Sequence, residues 1–562
     1  MQLLHLPQEL IQHIIAYVPD DDLKALGRVS RRLNQLSNDP LLWRDRCSRF
    51  KYWEDAWQSP KAPADSHDEA HLSWKTVFYR RISINNQANQ LLNQIVASPS
   101  RRIEYTEKIA SYGYDVKDCL LEQLATPETA DDWLARRFHA SSTLAYIHRQ
   151  RAIISWSRLL TSQSVHLEQA MCSFDLFVIN DFRTDSEHVS DMLSAISTDI
   201  VATYQDFFEL AKKDQAVAIV RYMRSLGFLG CHQENYHNLV NCFLGVSIRT
   251  TKTTLPMATC SIFCSLAQRL GLEAYPCAYP YHVYVLVYET KSSHFYMNPH
   301  ENIDLIYQVE LEGRLQEMGI AVTPTSIDKF LRPAPIIELV LRNARNILRN
   351  TPHARRHHPT DGSPESDVNP DAAEYAALFA IALLSSTWTT RILEPLCRCL
   401  QESFPTDVGF IESYILPLAA PESRPARLLR TICVALRNED GMARKVKRRS
   451  SIENSGVLFR IGTVFRHRRY GYQAAITGWT TNMTHETVDL EEAELQKGLK
   501  QPFYRVMVED LSVRYVAQEN IVEQRPSSAG RLAHLFAGKY FKGFNPVDGR
   551  FVSNMREEYP ED

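Results

Sequence analysis

The sequence predicts a multidomain α+β protein, with a helical head at the N-terminus, a helical and mixed middle, and a small β-barrel at the C-terminal end. Three observations carry this. A chain of 562 residues is too long for one hydrophobic core and suggests about three or four domains. Apolar residues recur at helical spacing in the head and from Ser73 to Leu226, whereas two-residue alternation appears only later, at Ala278–Tyr288 and Tyr504–Val508. Three polar stretches, Ser59–His71, Thr351–Asp371 and Gly441–Gly456, hold too little apolar surface to offset the entropy of ordering them, and read as linkers. The boundaries that follow are 1–50, 72–226, 227–345, 372–440 and 457–560.

Composition narrows the classes. The hydrophobic fraction of 44% and charged fraction of 23% are those of a globular chain. A net charge of −3 gives no global attraction to nucleic acid or anionic membrane. The 11 cysteines are scattered, and no secretory n-region and h-region opens the chain, so they read as reduced thiols of a cytoplasmic or nuclear protein. The longest apolar helical stretch, around Tyr375–Leu384, falls short of the ~20 residues a membrane span needs. Cys231, His232, His237 and Cys242 lie near one another without a CxxC or HExxH frame, and His357-His358 sits in a linker, so no metal is expected. Neither a GxGxxG after a strand nor a Walker-type loop occurs, and no cofactor is expected.

The head reads as short helices. Pro7 suits a first helical turn. Leu10, Ile11, Ile14, Ile15 and Val18 follow as an apolar stripe. Pro19 and the three aspartates after it stop that helix and start another, in which Leu23, Leu26, Val29 and Leu33 recur. Asp39-Pro40 repeats the signal ahead of Leu41, Leu42, Trp43 and Cys47. So much aliphatic surface on about fifty residues exceeds what so small a unit buries by itself; a partner is expected to cover the rest. The order Leu-Pro, Asp-Leu, Val-Ser-Arg, Leu-Trp-Arg over residues 3–50 resembles the F-box family. That resemblance implies docking on a Skp-type adaptor through Leu6, Pro7, Leu10, Ile14, Leu23, Leu26, Val29, Leu33 and Trp43.

In the middle, Pro256–Leu270 reads as a helix closed by Gly271, followed by strands over Cys277–Tyr288 and His294–Pro299. A helix on antiparallel strands that bear a His and then an Asn or Asp is the layout of Cys-His-Asp hydrolases and acyl transferases. Leu255-Pro256, Arg269-Leu-Gly-Leu272, the His282 strand and Asn298-Pro299 resemble the SirB-type branch of the transglutaminase-like superfamily. By that resemblance the nucleophile falls near Pro256 or Met257, neither of which attacks a carbonyl; His282 fits the base, and Asn298 stands where Asp is usual. Cys260 lies about one turn further on. One turn is ~5 Å, and catalysis is lost at about 1 Å, so Cys260 is expected to be a small core residue. The expectation is a non-catalytic scaffold; a thiol hydrolase or transglutaminase-like enzyme using Cys260 with His282 is the alternative. A groove lined by Tyr279, Tyr281, His282 and Tyr284 would take an extended peptide, unless the tyrosines are ordinary strand residues.

The tail reads as short strands: a hairpin turning near Tyr470-Gly471, then a pair joined at Asp510-Leu511-Ser512, with Tyr504, Val506 and Val508 alternating against Arg505 and Met507. Phe459-Arg-Ile-Gly, Arg466-His-Arg-Arg-Tyr-Gly-Tyr, Gly478-Trp, Gln501-Pro-Phe-Tyr and Arg514-Tyr-Val-Ala resemble the YccV/HspQ-like domain, whose name refers to hemimethylated DNA. The segment Ser455–Asp562 has equal numbers of basic and acidic residues, which does not favour DNA as partner. Arg466, His467, Arg468 and Arg469, beside Tyr470, form its one basic cluster and the candidate ligand or DNA contact. A second basic run, Arg444–Arg449 with Ser450 and Ser451, reads as a tether, an import signal or a kinase site.

The three resemblances, in this order, match the F-box-only subfamily that joins an F-box, a SirB-type region and a YccV-like domain. They imply a substrate receptor of a cullin ubiquitin ligase, with a Skp-type adaptor, a cullin and a protein substrate as partners and no active site of its own.

Overall fold

The computed structural model describes residues 6–54, 73–161, 163, 165–231, 235–356, 368–385, 388–481, 498 and 500–562. The predicted linker Ser59–His71 lies outside them. The chain forms two compact units: residues 1–144 with 440–562, and residues 145–439. Among the described residues no helix is long and apolar enough to cross a membrane.

The first unit opens with α1 (Gln8–Ala16), α2 (Asp20–Leu26), α3 (Arg31–Ser37) and α4 (Pro40–Cys47). Asp39 caps α4 by accepting from Leu41 N at 2.9 Å, as the Asp-Pro signal predicts. Ser30 caps α3 through Leu33 N at 3.2 Å. The long helix α5 (Trp74–Ala97) packs against α4, and its Phe78 completes a core with Ile11, Ile15, Leu23, Leu33, Trp43 and Cys47. Helices α6 (Arg102–Ala110) and α7 (Lys117–Leu124) follow, then α8 (Trp133–Leu160), of which residues 133–144 belong to this unit and the rest to the second. Arg81 of α5, buried, donates to Asp115 at 2.7 Å and to Asp118 at 3.0 Å. The same carboxylates accept from the backbone of Lys51, Tyr52 and Glu54, so one node ties the end of the head to the helices behind it.

The second unit carries the mixed region. Helices α9 (Leu167–Cys172), α10 (Asp175–Val178), α11 (Ser186–Thr203), α12 (Lys212–Ser225) and α13 (Leu244–Arg249) lead into α14 (Pro256–Arg269), with Pro at the first position as expected. A parallel pair, β1 (Leu229–Gly230) and β2 (Thr253–Thr254), precedes α14. Strands β3 (Glu273–Cys277), β4 (Tyr284–Tyr288), β5 (His294–Met297) and β6 (Leu305–Ile306) form an antiparallel sheet in that order. Beyond α15 (Gln308–Glu317) and α16 (Pro324–Phe330), α17 (Ile336–Arg356) packs on α18 (Pro370–Leu384). The predicted linker from Thr351 is therefore helical up to Arg356, and Thr351 is buried. Of the block 372–440, residues 372–439 fall within this unit.

Asp175 is fully enclosed and accepts Val246 N at 2.8 Å, fixing α13. Burial pushes its carboxyl up to about 6. That lies above the unfolded aspartate value of about 3.9, so the folded state holds the proton more tightly. The contribution is present below about pH 4 and lost as pH rises through 6. Asp175→Asn keeps the acceptor and removes the charge, so it is expected to remove a loss of about 1 kcal/mol between pH 5 and pH 7, read from urea unfolding at the two values.

The C-terminal part returns to the first unit. Strands β7 (Val464–His467), β8 (Gln473–Thr480), β9 (Phe503–Val508), β10 (Val513–Ala517) and β11 (Ile521–Gln524) form one sheet in the order β10-β9-β8-β7-β11, all antiparallel. A further hairpin, β12 (Phe541–Asn545) with β13 (Arg550–Ser553), was not foreseen. Gly471 takes φ +72 at the predicted turn. Gly462, at φ +84, is pressed so close that an added Cβ would lie 2.0 Å from Phe551 O, so only glycine fits. Strand β9 does not alternate as predicted: Met507 is as buried as Tyr504 and Val506, because the sheet is covered on both faces. Trp133 and Leu134 of α8 belong to the same core.

Candidate functional site

The nine residues predicted to meet an adaptor divide in two. Leu10 is 50% exposed, Ile14 40% and Val29 69%; Pro7 is exposed, and Leu6 and Leu26 are half-buried. Leu23, Leu33 and Trp43 are enclosed, and the structure corrects their assignment. Trp43 packs tilted against Phe78 at 5.4 Å and Tyr79 at 5.2 Å, and its Nε1 donates to Ser37 O at 2.8 Å. The reason is α5: a helix distant in sequence supplies the aromatic cover that a fifty-residue head lacks. Two exposed apolar residues were missed as contacts, Tyr17 at 78% and Leu41 at 69%. Leu10, Ile14 and Tyr17 follow i, i+4, i+7 spacing, so α1 keeps an outward apolar stripe after Ile11 and Ile15 fill the core. Arg46 holds the head together from below, donating to Val18 O at 2.6 Å and pairing with Asp20.

In the second unit the helix-on-sheet layout is as predicted. Cys260, Cys264, Tyr279 and Tyr284 are buried. The Cys260 thiol donates to Val283 O at 3.5 Å, and burial raises its pKa far out of the thiolate range. His282, one residue away in the chain, is exposed, with its carbonyl accepting from Arg342 at 3.0 Å. Asn298 ends β5 buried, its Oδ1 without a hydrogen-bond partner among the described residues. The fold thus brings the three predicted positions to one end of the sheet but splits them between core and solvent. The predicted tyrosine groove is corrected too. Tyr279 packs edge-on against Tyr284 at 4.9 Å and donates to Leu311 O at 2.9 Å; only Tyr281, 92% exposed, stands free beside His282. A buried chain missed from the sequence runs from Thr254 to Thr259 (2.5 Å between hydroxyls) and on to His300 Nδ1 (3.1 Å). Its last link joins residues 41 apart in sequence, which no local pattern encodes.

Among the 11 cysteines, Cys231 alone is not buried. It follows β1, and its N–H donates to Thr254 O at 3.2 Å, beside the start of α14. Iodoacetamide at neutral pH is expected to modify Cys231 first, with Cys260 and Cys264 reacting only on unfolding. Peptide mass mapping against time checks the order.

The barrel's basic hairpin is largely structural. Arg466 Nε donates to Gly471 O at 3.0 Å, closing the turn. His467 is buried, and its Nδ1 accepts from Arg469 N at 3.2 Å and Tyr470 N at 3.1 Å. Burial, with Arg469 and Arg514 nearby, pushes this imidazole below its ordinary range. His467 thus holds the turn, whereas Arg468, Arg469 and Tyr470 are exposed. The second basic run is no free tether: Lys447 pairs with Glu558 at 2.8 Å, Arg449 with Asp562 at 2.8 Å, and Ser450 N donates to Glu561 at 2.9 Å.

Residues 3–49 match the F-box-like family, 187–345 the transglutaminase-like superfamily, and 457–547 the family described as hemimethylated DNA-binding protein YccV like. The chain is a multidomain protein with an F-box-like, a transglutaminase-like and a YccV-like domain, in that order. Along its whole length it is similar to F-box only protein 21 of Pongo abelii, 21% identical over 615 residues, which covers 100% of this chain and 92% of that protein. F-box only protein 21 of Mus musculus and of Homo sapiens are each 37% identical to it over 131 residues, 22% of this chain and 20% of theirs. No solved structure matches. The transglutaminase-like match begins at residue 187, so α11 and α12 belong to it.

Proposed function

We propose that the chain is the substrate-recognition subunit of an SCF-type cullin ubiquitin ligase, binding a Skp-type adaptor through the head and a protein substrate through the transglutaminase-like and YccV-like domains. The observation that carries this is the outward stripe Leu10, Ile14 and Tyr17, with Val29 and Leu41 exposed as well, on a head whose own core is already filled. Apolar side chains left outside a complete core are what a partner helix or groove covers. In this reading the receptor supplies proximity and no bond chemistry of its own. Support comes from the start of α14, where Leu255, Pro256 and Met257 occupy the turn in which a thiolate would gain from the helix end, and from the enclosed Cys260 thiol.

Co-elution of the purified full chain with a purified Skp-type adaptor tests it. A stable complex that disappears on deletion of residues 1–50 is expected. No complex at micromolar concentration sinks the assignment.

A further inference from the structure

Within the first unit, a group of basic side chains converges where the segment before β12 packs on α8. The approach is tight: a Cβ added to Gly538 would lie 2.0 Å from Leu134 O and 2.6 Å from Phe138 Cβ. This sets Lys539 beside His139, the next residue of α8. The Lys539 ammonium lies 5.5 Å from the Phe536 ring centre and 5.7 Å from that of Tyr540, and the Arg505 guanidinium lies 5.7 Å from the same Tyr540 ring. Two cations therefore lie within 6 Å of the centre of one phenol ring. Arg102, at the start of α6, has its Nε spent on Ile95 O and Ser98 O at 3.1 and 3.0 Å.

The donors here lack acceptors. His139 is 5% exposed and Tyr540 4%, yet His139 Nε2, the Tyr540 hydroxyl and Arg102 Nη2 have no hydrogen-bond partner among the described residues. Buried polar groups are normally satisfied, and each one left open costs free energy. Burial and the positive charges of Arg505 and Arg102 hold the Lys539 ammonium below the usual lysine range. The same burial, with Arg102 and Lys539, keeps His139 neutral. The acids Asp440 and Glu557 act on Arg102, whereas the charges felt by Lys539 are both positive. Arg505 is exposed and Lys539 partly so, which leaves the cluster open to solvent.

We propose that this cluster is a binding site for a phosphate-type oxyanion, held by Lys539 and Arg505, with Tyr540 and His139 as its floor. The anion relieves the repulsion between the two cations and accepts their N–H donors. Two or more cations facing one site match a dianion better than a single carboxylate. The phosphoryl group can arrive as a free ion or on a phosphorylated side chain of a bound protein. The site is independent of the adaptor face and stands whether or not the head binds an adaptor.

Titration of the full chain with sodium phosphate, against sodium chloride at equal ionic strength, tests this by thermal unfolding. A saturable rise with phosphate alone is expected, lost in Lys539→Met and weakened in the exposed-rim variant Arg505→Gln. Reductive methylation of Lys539 should be slowed by phosphate while that of the exposed Lys291 is not. A phosphoserine peptide bound at least about tenfold more tightly than inorganic phosphate identifies a protein source; equal binding identifies the free ion. Phosphate and chloride acting alike, with Lys539 unprotected in the methylation, overturns the proposal; so does a phosphate effect that survives both substitutions.

Discussion

Replacing Ile14 and Tyr17 together by Asp is expected to abolish adaptor binding while leaving the melting profile of the full chain unchanged. Ile14 and Tyr17 lie one turn apart on the exposed stripe of α1, 40% and 78% exposed. Charge placed there desolvates on docking without a partner, and truncated or mismatched interface anchors cost about 2 kcal/mol or more each, so a loss of at least about 100-fold is expected. Trp43→Ala is the contrasting case. Trp43 is 1% exposed and packed against α5, so its removal should destabilise the head by about 3–5 kcal/mol and weaken binding only through loss of the fold. Calorimetric titration of the adaptor, with circular dichroism of each variant, separates the two. If the double Asp variant binds as tightly as the parent, the stripe is not the interface.

Arg81→Met should destabilise the first unit strongly and in a pH-dependent way. The guanidinium is buried between Asp115 and Asp118 and lies 5.0 Å from the Phe50 ring and 5.2 Å from Trp53. Removing it leaves two enclosed carboxylates without their cation, a loss of roughly 3–5 kcal/mol. Burial already raises both carboxyls above the ordinary range despite Arg81 and the backbone N–H groups. Without the arginine they rise further. A carboxyl raised in the folded state stabilises it at low pH and loses that contribution as pH rises through the folded value. The deficit of the variant should therefore be greatest at pH 7.5 and shrink toward pH 5. Urea midpoints across that range measure it; a deficit independent of pH rules out the ionic account.

Much of the fold was legible because local chemistry dictates it. Asp39-Pro40 starts a helix where it says it does, Gly471 turns the hairpin, and Pro256 opens the helix of the mixed region. What could not be read is which apolar and charged groups already have partners. Trp43 and Leu33 look like Leu10 in a helical pattern, and only Phe78 and Tyr79 of α5 decide that the first two face inward. The basic run at Lys447–Arg449 is neutralised by Glu558 and Asp562, over a hundred residues away. The tyrosines near His282 alternate as a groove would require, yet the sheet turns Tyr279 and Tyr284 into the core. The oxyanion cluster draws on α6, α8, β9 and the segment before β12, and no window of sequence contains it.

The division of the chain has a consequence for synthesis. The N-terminal 144 residues share a compact unit with residues 440–562. Asp440 O accepts Arg101 N at 2.8 Å, and Trp133 and Leu134 share their core with the C-terminal sheet. At a translation rate of about 5–20 residues per second, the nascent head and its helices wait roughly 20–80 s for that cover. A product truncated before residue 440 lacks the partners with which Trp133 and Leu134 form their core, and is expected to expose apolar surface of the kind chaperones bind.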